Sequence, residues 1–166
     1  MWQTLLSKQK KLDDFISSTK NLEIQNVEEK RDLLILSLMV ELGELANETK
    51  CFKYWSNSQP SEKKVILEEY VDVLHFLLSL GIELEFKDLP DFDDGSFTDN
   101  KELSAIFLNL YSSINNLRTN FSVESYIKCF NEFMIIGSKL DFTQEEIYES
   151  YIVKNAVNVR RQENGY

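Results

Sequence analysis

The sequence predicts an all-α fold, a helical bundle of about six helices. Its 166 residues include only five glycines and two prolines, too few for a β-rich fold with many tight turns. Apolar residues recur at helical spacing along most of the chain, whereas we find no convincing strand pattern. Hydrophobic residues make up 43% and charged residues 28%, as in an ordinary globular protein. The length fits one domain that spans residues 1–166.

The individual helices follow from the apolar spacing and from signals at their ends. They are predicted over roughly residues 2–19, 27–50, 61–85, 100–118, 122–139 and from 143 into the C-terminal region. Ser61 is expected to cap the third helix. Thr143 and Glu146 match a capping box at the start of the last helix. Residues 87–98 are rich in aspartate and form the one long predicted loop.

Charge and composition exclude several classes of function. A formal net charge of −10 argues against a protein that tracks along duplex nucleic acid, because the phosphate backbone attracts a basic face. The longest apolar stretch, 33–40, is far too short to span a membrane, and the N-terminal residues lack an apolar signal-peptide core. Cys51 and Cys129 have no metal-type spacing, so two reduced thiols in a cytoplasmic protein are expected. His75 is the only histidine, which excludes His-rich metal sites.

Two of the predicted helices are apolar on almost every side except for one narrow polar stripe. In the second helix the stripe consists of Ser37, Glu41, Glu44 and Glu48. In the third helix it consists of Glu69, Asp72, His75 and Ser79. A helix that is apolar nearly all round should be buried, so the carboxylates are expected to face protein or a cleft. The alternative is that each helix lies at the edge of the core and its carboxylates reach water.

The two stripes together predict a metal site. In each helix two carboxylates are three residues apart, which places their Cβ atoms about 5–6 Å from each other. If the helices pack antiparallel, Glu41, Glu44, Glu69 and Asp72 come together, and this cluster would repel itself or take up protons. Divalent cations with oxygen ligands resolve that conflict, and Mg²⁺ commonly binds through carboxylates and substrate phosphates. We therefore predict that these four residues are metal ligands and catalytic residues.

The C-terminal helix carries a polar and basic face. Lys154, Asn158 and either Arg161 or Gln162 fall at helical spacing on one side. A point-charge Lys and a forked Arg are a suitable pair for phosphate oxygens. In so acidic a chain, this face would offset the charge of a phosphorylated substrate. The alternative is a helix C-terminus whose cations are favoured by the helix dipole.

These motifs resemble a known family. ELGE at 41–44 and EYVD at 69–72 resemble the E-x-x-E and E-x-x-D signature of the all-α nucleoside triphosphate pyrophosphatases, which include the MazG-like proteins and the dimeric dUTPases. The tail YIVKNAVNVRRQENGY is similar to the dimeric dUTPase motif K-N-x-x-N-x-x-R-Q-x-x-G-Y. The matching positions are Lys154, Asn155, Asn158, Arg161, Gln162, Gly165 and Tyr166. The resemblance implies a four-helix acidic metal-binding core and, Gly165 apart, assigns these positions to substrate binding.

The first helix also resembles that family, in the segment that contacts the base. LSKQKKLDD at 6–14 is similar to a family segment in which a Gln and, four residues on, an Asn contact uracil. Gln9 matches the first of these positions and is expected to read a uracil edge through its amide. Asp13 stands at the second position. An ionised Asp accepts hydrogen bonds but cannot donate them, so the chain departs from the family pattern here.

Other candidate substrate contacts come from the same resemblance. CFKYWS at 51–56 resembles an aromatic-Lys-x-Trp segment of the family, which nominates Trp55 as a wall of the base site, together with Lys53. His75 and Phe76 follow the acidic motif as they do in relatives, where they lie by the deoxyribose and the base. For these rings and for Trp55, ordinary core packing is the alternative.

The resemblance implies hydrolysis of dUTP to dUMP and pyrophosphate, with two or more Mg²⁺ ions per site, tolerance of dUDP and a homodimer. Glu44 is the preferred residue to orient the attacking water or accept its proton. A small-molecule nucleotide is the expected partner, and neither duplex nucleic acid nor a membrane is expected to bind. Two alternatives stay open. One is a MazG-like or dCTP-type pyrophosphatase with another base preference, which Asp13 allows. The other is a helical interaction protein without turnover.

Overall fold

A computed structural model describes residues 1–19, 26–86 and 99–165 of the chain. These ranges contain six helices and no strand. The helices are α1 (Trp2–Thr19), α2 (Val27–Thr49), α3 (Lys63–Glu83), α4 (Leu103–Thr119), α5 (Val123–Lys139) and α6 (Gln144–Glu163). The predicted all-α fold is confirmed. The predicted loop at 87–98 and Tyr166 lie outside the described residues.

Helix α3 is the central element of the bundle and contacts α1, α2, α5 and α6. Its apolar residues recur on nearly all sides, and Tyr70, Leu74 and Leu77 have no exposed surface. Burying apolar surface on several faces of one helix is the main favourable contribution to folding that this arrangement provides. The polar stripe of α3 is therefore held inside the protein, because the helix has no wide solvent face.

Two side-chain contacts show that α2 and α3 run antiparallel. Lys30 in the first turn of α2 is paired with Glu83 at the end of α3. At the other end, the Ser61 hydroxyl donates to the Glu48 carboxylate near the end of α2. The antiparallel packing expected from the sequence is therefore present, and it brings the two polar stripes face to face.

The N-terminal cap predicted for α3 is wrong. The helix begins at Lys63, and its N-cap is Glu62, whose side chain makes no capping hydrogen bond. Ser61 lies one residue too early to cap the helix. Its hydroxyl instead donates to the Glu48 carboxylate of α2, so the group that the sequence pattern assigned to capping makes a tertiary contact.

The cap of α6 agrees with the prediction. The Thr143 hydroxyl accepts from the Glu146 amide at 3.1 Å, and the Glu146 carboxylate accepts from the Thr143 amide at 2.8 Å. Glu146 also accepts from the Lys63 ammonium at 2.7 Å, which ties the start of α6 to the start of α3. This capping box sets where α6 begins and hence which of its residues face α3.

Two glycines allow buried tyrosines to approach helix backbones closely. A Cβ atom on Gly81 of α3 would lie 2.5 Å from the Tyr126 hydroxyl, and one on Gly137 of α5 would lie 2.5 Å from the Tyr70 hydroxyl. The Tyr126 hydroxyl donates to the Leu77 carbonyl at 3.0 Å. These contacts fix how closely α3 and α5 pack. No helix within the described ranges is long and apolar enough to cross a membrane.

Candidate active site

A cavity of about 640 Å³ lies between α1, α2, α3 and α6. Most of the polar side chains singled out from the sequence line it. They are Gln9, Asp13, Glu41, Asp72, His75, Phe76, Lys154, Asn158, Arg161 and Gln162. Each of the four helices thus contributes residues that are far apart in the sequence. The volume is in the ordinary range for a small-molecule binding site.

Three carboxylates form a cluster at this cavity. Glu41 of α2 and Glu69 and Asp72 of α3 each place a carboxylate oxygen within 4.8 Å of the others. Burial raises the pKa of Glu41 to about 7, with further contributions from the charges of Asp72, Glu44 and Glu69. Burial also raises the pKa of Glu69 and of Asp72. A cluster of hard oxygen ligands that resists ionisation on its own is a suitable set for a divalent cation such as Mg²⁺.

Glu44 lies beside this cluster. Its side chain is exposed, and its oxygens are not among those within 4.8 Å of one another. Its charge nevertheless raises the pKa of Glu41, Glu69 and Asp72, so it lies close to all three. Of the four predicted ligands, the structure brings three together and places the fourth at their solvent side. Glu48, the last member of the α2 stripe, instead contacts Ser61.

Helix α6 brings positive charge to the carboxylates. The Lys154 ammonium donates to Asp72, which opposes the effect of burial on the Asp72 pKa. The charge of Arg161 acts in the same direction. Asn158 lies between these two on the same helical face, and all three line the cavity. The predicted basic face is therefore turned towards the acidic cluster, where it partly neutralises the cluster.

The far part of the cavity contains a buried hydrogen-bond network centred on Gln9, which is only 3% exposed. Gln9 Oε1 accepts from the Tyr151 hydroxyl at 2.7 Å and from His75 Nδ1 at 2.6 Å. Gln9 Nε2 donates to Asp13 Oδ1 at 2.8 Å and to Ser79 Oγ at 3.1 Å. Because a carboxylate only accepts, Asp13 fixes which way the Gln9 amide points. All the donors and both acceptor positions of this amide are therefore occupied.

This network also determines the state of His75. A proton on Nδ1 is needed for the bond to Gln9 Oε1, so Nε2 is the acceptor nitrogen of a neutral ring. His75 Nε2 is buried and has no hydrogen-bond partner within the described residues. Burial, with a smaller contribution from Lys154, lowers the pKa of His75 to about 3. The ring stacks on Tyr151 with centroids 4.3 Å apart, which holds its orientation.

Four residues nominated from the family resemblance lie away from the cavity or outside the described part of the chain. Trp55 is 64% exposed, packs against Phe52 and Tyr54, and does not line the cavity. The Lys53 ammonium lies 5.7 Å from the centroid of the Phe52 ring. Asn155 is buried and lines a smaller, separate cavity against α1. Tyr166 lies outside the described residues.

Sequence reasoning missed two members of the network. Tyr151 lies three residues before Lys154 and thus on the same helical face, which was a usable signal. Ser79 follows His75 by four residues in the polar stripe of α3, and its role became visible only once α1 was packed against it. Lys30 also lines the cavity, and nothing in the local sequence distinguishes it from other surface lysines.

Fold and site define an all-α bundle in which a cavity combines a carboxylate cluster, suited to a divalent cation, with a basic helical face. A family model described as dUTPase matches residues 1–166, so the chain belongs to the dUTPase family. The resemblance noted in the acidic motifs and in the tail is thereby confirmed, and at the family level the activity is hydrolysis of dUTP. A comparison with curated proteins found no match.

Proposed function

We propose that this chain hydrolyses dUTP to dUMP and pyrophosphate in a Mg²⁺-dependent reaction, and that it also accepts dUDP. The observation that carries the proposal is that the carboxylate cluster and the basic face of α6 meet at one cavity. A nucleoside triphosphate with its metal ions has the complementary charges. Family membership supplies the base preference.

Glu41, Glu69 and Asp72 would hold the metal, because their oxygens already lie within 4.8 Å of one another. A divalent cation held there would lower the pKa of a coordinated water and would stabilise negative charge on the phosphoryl oxygens. Glu44 is exposed at the edge of the cluster, so its carboxylate is available to orient a water and accept a proton. The water oxygen forms a bond to phosphorus, a phosphoanhydride P–O bond breaks, and the water proton passes to Glu44.

Lys154 and Arg161 would bind the triphosphate. In the absence of ligand, the Lys154 ammonium donates to Asp72. Lys154 would be available to phosphate oxygens if a cation held by the cluster neutralised Asp72 in its place. Asn158 and Gln162, on the same face, can add neutral hydrogen bonds. Fixed charges that face the reacting phosphates provide electrostatic stabilisation without reorganisation.

The nucleoside would lie in the part of the cavity that is lined by Gln9, His75 and Phe76. Phe76 is partly buried and offers an apolar surface for a base or sugar. His75 Nε2 is buried and has no hydrogen-bond partner among the described residues, so it can accept a hydrogen bond from a hydroxyl. Gln9 would act on the base through the groups that it holds in place, because its own amide is fully engaged.

A homodimer is supported by an unpaired apolar face on α2. Leu33, Leu36 and Val40 follow one another at helical spacing, and each is about half exposed. Leu33 also lines the cavity, so a second copy on this face would lie next to the nucleotide. Trp55 is exposed and does not line the cavity of its own chain. In a dimer formed through this face, Trp55 of one copy would be able to contact the site of the other.

Pyrophosphate release from dUTP, dCTP, dTTP and UTP tests this proposal, with dUDP followed by phosphate release. We expect hydrolysis with Mg²⁺ and its loss with a chelator. Asp72→Ala and Glu44→Ala should abolish hydrolysis and keep the helical circular dichroism signal. Glu68→Ala, an exposed glutamate of α3 outside the cluster, is the matched control and should keep its activity.

Two outcomes would contradict the proposal in different ways. No hydrolysis of any nucleotide with Mg²⁺ present would favour a helical binding protein without turnover. Equal rates on all four triphosphates would remove the base preference and favour a MazG-like pyrophosphatase on the same fold.

A further inference from the structure

The far end of the cavity is short of hydrogen-bond donors. We define this inner end by Gln9, Asp13, His75 and Ser79. Both Gln9 amide protons are used, one by Asp13 and one by Ser79. The protons on Tyr151 and on His75 Nδ1 are both given to Gln9 Oε1. The Ser79 hydroxyl proton is used by Asp13, so the groups that keep unused capacity at this end are acceptors.

Two such acceptors belong to residues that line the cavity. His75 Nε2 is buried, 95% of the side chain being inaccessible, and it has no partner among the described residues. Asp13 is partly buried, and its carboxylate accepts from the Gln9 amide, at Oδ1, and from the Ser79 hydroxyl. A carboxylate has about four lone-pair sites, so about half of its accepting capacity is unused. A buried, unpartnered acceptor next to a carboxylate points to a ligand that brings its own donors.

We propose that Asp13 is a specificity-determining residue that accepts a hydrogen bond from the exocyclic amino group of cytosine, so that this enzyme hydrolyses dCTP as well as dUTP. The inference rests on the proposed function, since it concerns the base of the same nucleotide substrate.

The two pyrimidines differ in what they present to a carboxylate. Cytosine presents a 4-amino donor, and acidic side chains are the usual acceptors for that group. Uracil presents a carbonyl acceptor at position 4 and an N3–H donor beside it. A carboxylate can accept either the amino proton of cytosine or the N3 proton of uracil. Asp13 therefore tolerates both bases, whereas a donor facing position 4 would bond to the uracil carbonyl and would oppose the amino group of cytosine.

The substitution Asp13→Asn exchanges the acceptor for a donor with little change in shape. The Gln9 amide nitrogen, Nε2, still needs an acceptor in the variant, so the Asn carbonyl oxygen would take the place of Asp13 Oδ1. The amide nitrogen would then replace Oδ2. Because burial raises the pKa of Asp13, a neutral group at this position should not lower stability, and a melting curve checks that the variant folds. Asp14→Asn, on the exposed side of the same helix, is the matched control.

The test compares kcat/KM for dCTP and dUTP in the unaltered protein, Asp13→Asn and Asp14→Asn. We expect the unaltered protein to hydrolyse both within about tenfold of each other. Asp13→Asn should lower the dCTP-to-dUTP ratio about 10- to 100-fold, as expected for the loss of one base-reading contact. Asp14→Asn should leave the ratio unchanged. A ratio that does not move in Asp13→Asn, or an unaltered protein that rejects dCTP more than 100-fold, overturns the inference.

A binding measurement separates this inference from the proposed function. Calorimetric titration with the non-hydrolysable α,β-imido analogues of dCTP and dUTP reports base preference without turnover. If the unaltered protein hydrolyses neither nucleotide but the Asp13→Asn variant still loses its affinity for the dCTP analogue selectively, the hydrolase proposal fails and the role of Asp13 stands. If the unaltered protein hydrolyses dUTP but Asp13→Asn leaves the ratio of its affinities for the two analogues unchanged, the hydrolase proposal stands and the role of Asp13 fails.

Discussion

At the residue scale, the site is governed by charges that burial makes costly. Burial raises the pKa of Glu41 to about 7 from the ordinary glutamate value of 4.5. Lys154 is a cation that contacts the cluster directly, through Asp72. His75 is held neutral by burial and by its bond to Gln9. Each group is in a state that a cation or a nucleotide would change, and this makes them sensitive reporters of binding.

The raised pKa of Glu41 leads to a dependence of stability on pH. Between pH 4.5 and about 7 the folded protein keeps a proton that the unfolded chain releases, so this contribution is complete below pH 4.5 and is lost as the pH rises to 7. In urea unfolding with a chelator, Glu41→Gln should gain stability relative to the unaltered protein across this window, on the order of 1 kcal/mol after solvent screening.

The matched control for this experiment is Glu68→Gln, whose difference from the unaltered protein should stay small. Addition of Mg²⁺ at pH 8 should reverse the order, because the unaltered cluster binds the ion more tightly than the variant. A Glu41→Gln difference that is flat with pH would contradict the burial of this carboxylate beside Asp72.

His75 should not titrate near neutral pH. Burial lowers its pKa to about 3, so the native state fails to take up a proton that the unfolded chain binds below about pH 6.5. This costs stability as the pH falls from 6.5 towards 3. As His75 is the only histidine, its ring proton resonances need no assignment. Constant shifts between pH 5 and 8 are expected, with a normal titration in urea. A step near pH 6.5 in the native protein would mean that the ring is open to solvent.

At the element scale, the helices were the most predictable feature and their ends the least. Apolar periodicity and the end signals predicted α1 and the start of α6 closely, and the capping box at Thr143 is present. The prediction of a cap at Ser61 was wrong because the Ser61 hydroxyl donates to Glu48 on another helix. A local sequence pattern contains no information about such a tertiary contact. In the same way, spacing placed Lys154 on the α6 face, but only packing showed which acid it meets.

The close tyrosine contacts at helix glycines give an element-scale expectation. Gly81→Ala should destabilise the protein by about 1–3 kcal/mol, because its Cβ would lie 2.5 Å from the buried Tyr126 hydroxyl. Gly43→Ala is the matched control. Its Cβ would lie 3.2 Å from the Tyr111 hydroxyl, and the gain in helix propensity of about 1 kcal/mol offsets a small shift. Equal stability of the two variants in urea unfolding would contradict the packing of α3 against α5.

At the scale of the whole molecule, the site exists only because four helices converge. The acidic motifs, the first helix and the tail were each recognisable in the sequence, and the resemblance assigned them to one site. The sequence did not reveal that Gln9 would be engaged on both sides of its amide, since that depends on Tyr151, His75 and Ser79 arriving together. It also did not show that Trp55 would be left outside the cavity of its own chain.

The unpaired α2 face bears on assembly. Leu36 is 58% exposed in the middle of this face, so Leu36→Asp should leave the fold of one chain intact while it disrupts self-association. We expect light scattering to give a dimer mass for the unaltered protein and a monomer mass for the variant. Val153→Asp, 66% exposed on α6, should remain dimeric. A dimer that persists in Leu36→Asp would place the interface on another surface.

The most direct measurement is an experimental structure with Mg²⁺ and α,β-imido-dUTP bound. We expect metal coordinated at about 2.0–2.1 Å by oxygens of Glu41, Glu69 and Asp72, and the triphosphate in contact with Lys154 and Arg161. The base should lie at the inner end, next to Asp13. Metal and phosphates bound elsewhere, with no ion at the three carboxylates and Lys154 still on Asp72, would contradict the account.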